Sequence, residues 1–388
     1  MQITIAIPTI AGRAKYLAHA LATCVAEPDS NLTILVSDNS PGDAEATVRS
    51  FDDPRIRYVR PPHFLPMSAH WEFLLGNVDS DVLCIIGDDD AVMPGGIAAA
   101  TRLLAIHGNV PIHHSLANYF WPDNPRVMRR NQVVFYHDIG PDRWLDSVTY
   151  LRQVAAGNLR YSDGPAVYHN FIPMPLIRRI AGDGAFFRRA IPDVYSAFAI
   201  AANTERFFSA GQLLTLSGTG ARSNSAAVDT SGPDGAAFFK ISAEHPLYKP
   251  RFAARTVPLL QIDSLIEVSQ HFNRPEILAD IDYVQQLEAM ILEVMPIVGK
   301  EDRRREYRAA FDVAWANGAS LPLSIRLARR GLEKIARRLG LPVRYRSMAA
   351  QAGGTMLTLP VEVTNVAQAA QALSTFIADG TLPQPLAP

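Results

Sequence analysis

Four short apolar runs, Ile3–Ile7, Leu32–Val36, Ile56–Val59 and Val82–Ile86, constrain this chain more than any other feature. Each is too short for an ordinary helix and rich in β-branched residues, so each reads as a strand. The run Val82–Ile86 is apolar throughout, which predicts a buried parallel strand. Between them lie segments of helical spacing: Ala14–Ala26 puts Leu17, Leu21 and Val25 on one face, and Ala44–Phe51 and Met67–Leu75 follow. Strand alternating with helix at this spacing predicts an α/β fold built on a mainly parallel, doubly wound sheet with right-handed crossovers. Ligands in such sheets bind beyond the carboxyl ends of the strands. Those ends carry Pro8 and Thr9, then Asp38 in the turn SDNSPGD, then Asp88, Asp89 and Asp90 after Gly87.

Three consecutive carboxylates repel one another, and a divalent cation with its preference for oxygen ligands relieves that repulsion. A solvated acidic turn that merely ends a strand is the plainer alternative. Asp38 likewise has two readings, an Asx turn or an acceptor for a base N–H, while Thr9 and Arg13 sit where a base or phosphate would approach. No glycine-rich phosphate cradle of the P-loop or GxGxxG kind follows the first strand. A metal would have to do the work that backbone amides do in those folds.

Composition excludes more than it selects. With 48% hydrophobic and 19% charged residues over 388 positions, the chain is long enough for two or three globular domains. A formal net charge of −1 gives no global reason to bind nucleic acid. Two cysteines, Cys24 and Cys84, supply neither a disulfide framework nor a zinc site, which fits a reducing compartment. The start, MQITIAIPTIAGR, reads directly as a strand, and no apolar run reaches membrane-spanning length, so a cytoplasmic protein is expected.

The segments IPTIAGRAKYL, ILVSDNSPGD, LPMSAHWEFLL and IIGDDDAVMP resemble, in order, signatures of family-2 glycosyltransferases of the GT-A fold. The resemblance covers about the first 100 residues. It implies an inverting transferase, of the kind used in polysaccharide biosynthesis, that takes a sugar from a nucleoside diphosphate, by default uridine diphosphate, to a glycan or lipid-linked acceptor. It also implies Mn²⁺ or Mg²⁺ as cofactor. By this resemblance Thr9 and Asp38 contact the nucleobase, Asp88 the ribose, and Asp89 or Asp90 the metal on the diphosphate. Pro8 belongs to the same loop, and Arg13 stands where many members place a basic residue.

Beyond Pro94 the signals thin. Gly95–His107 reads as a helix, Val110–His114, Leu116–Trp121 and Val133–Tyr136 as strands, and Asp146–Ala156 as a helix. The adjacent His113 and His114 lack a third ligand at suitable spacing and read as packed histidines. Tyr168 and His169 resemble a YH pair near the sugar site of related transferases and are candidate acceptor residues. The segment AIPDVYSAFAIAANTERFF, residues 190–208, starts a helix at Pro192 with Asp193 in its first turn. Asp193 is either a helix N-terminal acid favoured by the dipole or a general base for the acceptor hydroxyl; PDVYSAFA resembles the acceptor-side motif whose Asp is the base. Gln212–Leu216 reads as a strand, and the loop SGTGARSNSA after it offers Arg222 and Ser223 to a diphosphate, or is a plain turn.

These signals divide the chain into a nucleotide-sugar half over residues 1–110, an acceptor half over 111–228 and a helical C-terminal domain over 229–388. In that last part, Leu259–His271, Pro275–Val294, Arg303–Asn317 and Leu323–Leu339 have helical patterns. The basic amphipathic segment 324–346, with Ile325, Ala328, Leu332, Ile335 and Leu339 on one face, either packs on its own domain or lies on an anionic membrane. A homodimer through this region is a further expectation, and the tail TLPQPLAP is expected to be disordered. Two other functions fit the same residues: a sugar nucleotidyltransferase, for which IPTIAGRAK is a poor glycine-rich loop, and a non-catalytic nucleotide or carbohydrate binder.

Overall fold

The structure is a computed structural model that describes residues 1–135, 139–223, 240–252, 256–294, 300–338 and 355–380. Strands β1 (Ile3–Thr9), β2 (Leu32–Asp38), β3 (Ile56–Val59) and β4 (Val82–Ile85) form a parallel sheet in the order β4-β1-β2-β3. Its free edge at β4 is closed by an antiparallel pair from Ile172–Pro173. Helices α1 (Ala14–Val25), α2 (Glu45–Arg49) and α3 (Met67–Leu75) make the crossovers, so the α/β alternation read from the sequence is present.

Both faces of the central strands β1, β2 and β4 are largely buried. Ile3, Ile5 and Ile7 of β1 point to one side, against Leu17, Leu21 and Cys24 of α1 and Ile97 and Leu104 of α4 (Gly96–His107). Ala6, Leu35, Leu83 and Ile85 point to the other, against Trp71 of α3 and Val194 and Phe198 of the helix Pro192–Ala202. Cys24 and Cys84 are buried and unpaired.

Apart from the edge pair Ile172–Pro173, the region after Pro94 does not extend that sheet. It builds two more, a three-stranded one from Ile112–His114, Arg206–Ala210 and Arg143–Asp146, and a five-stranded one in the order Thr355–Thr358, Gln132–Phe135, Ala117–Phe120, Thr215–Thr219, Ala91–Val92. The segment 190–208 splits, because Asn203 Nδ2 donates to the Ala199 carbonyl at 2.8 Å and the Thr204 hydroxyl to that of Ile200 at 2.9 Å. These side chains stop the helix at Ala202 and release Arg206–Ala210 as a strand. The next strand then lies at Thr215–Thr219 instead of Gln212–Leu216.

The C-terminal region is mainly helical: Val257–His271, Glu276–Ala279, Tyr283–Val294, Lys300–Ala316 and Ser320–Arg338. The run expected over Pro275–Val294 breaks where Asp282 accepts from the Gln285 amide at 2.9 Å and so starts a new helix. Residues 355–380 return to the N-terminal half. Thr355–Thr358 pairs with Gln132–Phe135, and Val366, Ala369 and Leu373 of Val366–Ala378 pack with Tyr16, Tyr119 and Trp121. Tyr136, residues 339–346 of the basic segment and the tail TLPQPLAP lie outside the described residues.

Candidate functional site

The register of the first sheet places Thr9 beside Asp38 at the ends of β1 and β2, and the end of β4 brings Gly87 to Asp90 to the same edge. The three carboxylates of this turn meet three different environments. Asp88 accepts from the Thr9 hydroxyl at 2.6 Å and from Arg13 Nη1 at 3.0 Å. Asp90 is closed on all sides: Oδ1 accepts from the Gly218 amide at 2.7 Å, and Oδ2 from the Tyr168 hydroxyl at 2.6 Å and from the Gly87 amide. His169 Nε2 lies a further 3.2 Å from that same oxygen. Asp89 is held on one oxygen only, by Ser223 Oγ and at 3.5 Å by the Gly220 amide. Its Oδ1 accepts no hydrogen bond from the described residues.

The electrostatics follow from these partners. Burial pushes the Asp89 carboxyl up to about 7, with Asp90 and then Asp88 adding to the rise and Arg13 and Ser223 opposing it. Asp88 is also raised, chiefly by burial, against the pull of Arg13 and Thr9. Asp90 goes the other way: burial raises it, but His169, Tyr168 and the Gly218 amide together hold it below the ordinary carboxylate value. Burial depresses Arg13, yet Asp88 and Asp89 outweigh this and keep the guanidinium charged.

Several supports come from far along the chain. Strand Thr215–Thr219 crosses so close that a Cβ on Gly218 would sit 1.8 Å from the Asp89 carbonyl oxygen, so only glycine fits there. Trp121 Nε1 donates to that same carbonyl at 3.0 Å. The loop 220–223 is pinned from its other side by Asp123, which accepts from the Ala221 amide at 3.2 Å and from Tyr16 at 2.6 Å. Gly12 has φ +77°, and the exposed Arg222 guanidinium packs so near it that a Cβ would meet Nη1 at 2.4 Å. Arg13 in turn donates to the Arg222 carbonyl, so the loop IPTIAGR and the loop after Thr219 are joined.

Asp38 is fully buried, and its oxygens accept from Ser40, from the Ala44 amide at 3.1 Å and from Tyr58 at 2.9 Å. These bonds tie the end of β2 to the turn before α2 and to β3. Tyr168 and His169 both have partners within the protein. Tyr168 holds Asp90, and His169, with φ +67°, turns Nδ1 to the Thr215 hydroxyl at 2.8 Å. His113 is satisfied by Ser209 and Ser162, and His114 by Ser115, His169 and Thr215. Burial lowers His114 to about 3, which leaves it neutral. Among the described residues no group of three or more His, Cys, Asp or Glu is arranged to hold a metal by itself.

Asp193 lies in the first turn of Pro192–Ala202, after Pro192 at the helix start. It is 8% exposed, and its Oδ1 is buried without a hydrogen-bond partner. Burial raises its carboxyl, opposed by Tyr161, by the helix amides and by His169. Burial raises the Tyr168 hydroxyl well above its ordinary value, and the charges of Asp90, Asp89 and Asp193 add to the rise. The helix start is fixed by Ser196, whose hydroxyl donates to the Asp193 carbonyl at 2.9 Å and accepts from the Val167 amide at 3.2 Å.

No curated protein matches the chain. Among solved structures, the chain is similar to Staphylococcus aureus TarS 1–349 in complex with UDP-GlcNAc, with 9% identity, a TM-score of 0.47, and coverage of 94% of this chain and 99% of that one. It is also similar to TarS 1–349 with UDP (9% identity, TM-score 0.43, 94% and 98% covered) and to a longer TarS structure (9%, 0.43, 78% and 50%). Residues 4–166 match the family model described as glycosyl transferase family 2. That stretch holds Pro8, Thr9, Arg13, Asp38 and the whole acidic turn, while Tyr168, His169, Asp193, Arg222 and Ser223 lie beyond it. Over residues 4–166, then, the chain is similar to glycosyl transferase family 2.

Proposed function

We propose that the protein transfers a sugar, with inversion, from a nucleoside diphosphate sugar to a hydroxyl of a glycan or lipid-linked acceptor. What supports transfer over simple binding is Asp193: a buried carboxylate oxygen without a partner, on a helix whose Val194 and Tyr195 share a core with Tyr168, the tyrosine that donates to Asp90. A binder needs the turn but no base. In the proposed reaction Asp193 takes the acceptor hydroxyl's proton, the acceptor oxygen bonds to the anomeric carbon, and the bond from that carbon to the diphosphate oxygen breaks with its electron pair.

Asp89 fits the metal role and Asp90 does not. Asp89 has an oxygen free of hydrogen bonds and a carboxyl that burial has made reluctant to ionise unless a cation is near. One protein carboxylate completed by substrate phosphates suits Mg²⁺ or Mn²⁺. Such a cation would neutralise charge growing on the departing diphosphate. Asp90 serves instead to hold Tyr168 and the strand of Gly218 in place. Pro8, Thr9, Arg13 and Asp88 form the donor wall, Asp38 shapes the turn beside it, and Arg222 with Ser223 covers the diphosphate end. Uridine diphosphate is the first donor carrier to test. Calorimetry should give Mn²⁺-dependent UDP binding by the wild-type chain, and no nucleoside diphosphate bound with or without Mn²⁺ would refute the reading.

A further inference from the structure

The helix Ser320–Arg338 is turned opposite to the way an amphipathic helix usually packs. Leu321, Ile325, Ala328 and Leu332 recur at spacings of four, three and four, one face of a helix. That face points to solvent: Leu321 is 71% exposed, Ile325 60% and Leu332 67%. The inner side carries Leu323 in the helical core and two arginines. Arg326 Nε lies 2.7 Å from Glu288 Oε2, and Arg330 pairs with Oε1 of the same buried carboxylate. The preceding helix, Lys300–Ala316, leaves Arg304, Arg308 and Phe311 exposed, and Trp315 in its last turn is 79% exposed.

Charge decides what covers this face. Residues 300–338 hold eleven Lys or Arg against five Asp or Glu, in a chain whose net charge is −1. Of those acids, Glu306 is buried beside Arg305, and Glu333 pairs with Arg329 at 3.2 Å. Two copies meeting through this face would bring like charge onto like charge. An anionic lipid surface offers both an apolar layer for the leucine and isoleucine side chains and counter-charge for the arginines. Among the described residues no helix is long and apolar enough to cross a membrane, so contact is along the surface. We infer that the outer face of Ser320–Arg338 docks on an anionic bilayer, and this stands apart from the transfer reading, whose failure would leave it intact.

Vesicle co-sedimentation of the full chain tests the inference. Vesicles of phosphatidylcholine with phosphatidylglycerol should bind the protein, and phosphatidylcholine alone should bind it about tenfold less. The exposed double variant Ile325→Glu with Leu332→Glu should lose the binding while its melting temperature stays at the wild-type value. The pair Ile325→Leu with Leu332→Ile should retain it. Equal binding by the Glu variant and the wild type, or no wild-type binding to anionic vesicles, would overturn the inference. A concentration-dependent dimer in sedimentation velocity that the Glu variant abolishes, without lipid binding, would assign the face to a second copy instead.

Discussion

The acidic turn and the start of Pro192–Ala202 both bury carboxylates, and they treat them in opposite ways. At Asp90 both oxygens have donors, and the carboxyl is held below its ordinary value. At Asp193 one oxygen has none, and the acid is raised. A buried carboxylate with its donors complete is a structural element, because taking it away strands those donors. One with an empty oxygen costs the fold some stability and retains the capacity to accept a proton. Asp89 stands between the two, with one oxygen held and one free.

The contrast is broken most severely at Asp193. Asp193→Asn should lower the transfer rate by about 10²–10⁴-fold while leaving Mn²⁺-dependent UDP affinity unchanged by calorimetry. If transfer survives, the base lies elsewhere. The next largest effect falls on stability at Asp90. Asp90→Ala would leave the Gly218 amide, the Gly87 amide and the Tyr168 hydroxyl without their acceptor, at a cost of about 3 kcal/mol or more, read by urea unfolding. Asp89→Ala removes a carboxylate that burial already disfavours, so it should leave stability unchanged or slightly higher at pH 8 and abolish the Mn²⁺-dependent part of UDP binding. Equal destabilisation by the two variants would erase the distinction between structural and ligand-facing acids.

The same pair differs in pH dependence. Asp89 is raised from 3.8 to about 7, so its favourable contribution to stability is complete below pH 3.8 and is lost as pH rises through about 7. Asp90 is lowered, so its contribution is present above 3.8 and is lost only as pH falls through its depressed value. The melting temperature of Asp89→Asn, measured relative to wild type, should therefore climb between pH 5 and pH 8 and then level off. A difference that stays flat across that range would mean Asp89 is not desolvated as described.

How far the sequence foretold this site depends on how local each cause is. The strands, the placement of Thr9 and the acidic turn at one edge, and Asp193 in a first helical turn follow from short-range pattern and were legible. The division of labour within Asp88–Asp90 was not, because it is set by Arg13, Tyr168, His169, Gly218 and Ser223, which no spacing rule ties to the turn. Trp121 and Asp123 went unseen for the same reason. A glycine one residue before a strand's last position, Gly218, was the only available signal of close backbone approach. In Ser320–Arg338 periodicity puts Ile325, Ala328 and Leu332 on one face, but which way that face points is fixed by Glu288 on another helix.

The smallest expected effect probes the partly held state of Asp89 directly. The Ser223 hydroxyl donates to Asp89 and accepts from the Gly220 amide at 2.6 Å, and its bond is one of two influences that pull the carboxyl down from its raised value. Ser223→Ala removes that influence and leaves Arg13 to act alone, so the carboxyl rises further. Metal binding must then displace a more tightly held proton than in the wild type wherever protonation competes. Mn²⁺-dependent UDP affinity should fall by a few-fold, about 0.5–1 kcal/mol, near pH 6.5 and converge on wild type above pH 8, because a lost hydrogen bond to a charged group matters only while protonation competes. A deficit of the same size at every pH would instead make Ser223 a direct ligand contact, and the loop 220–223 a wall of the site in its own right.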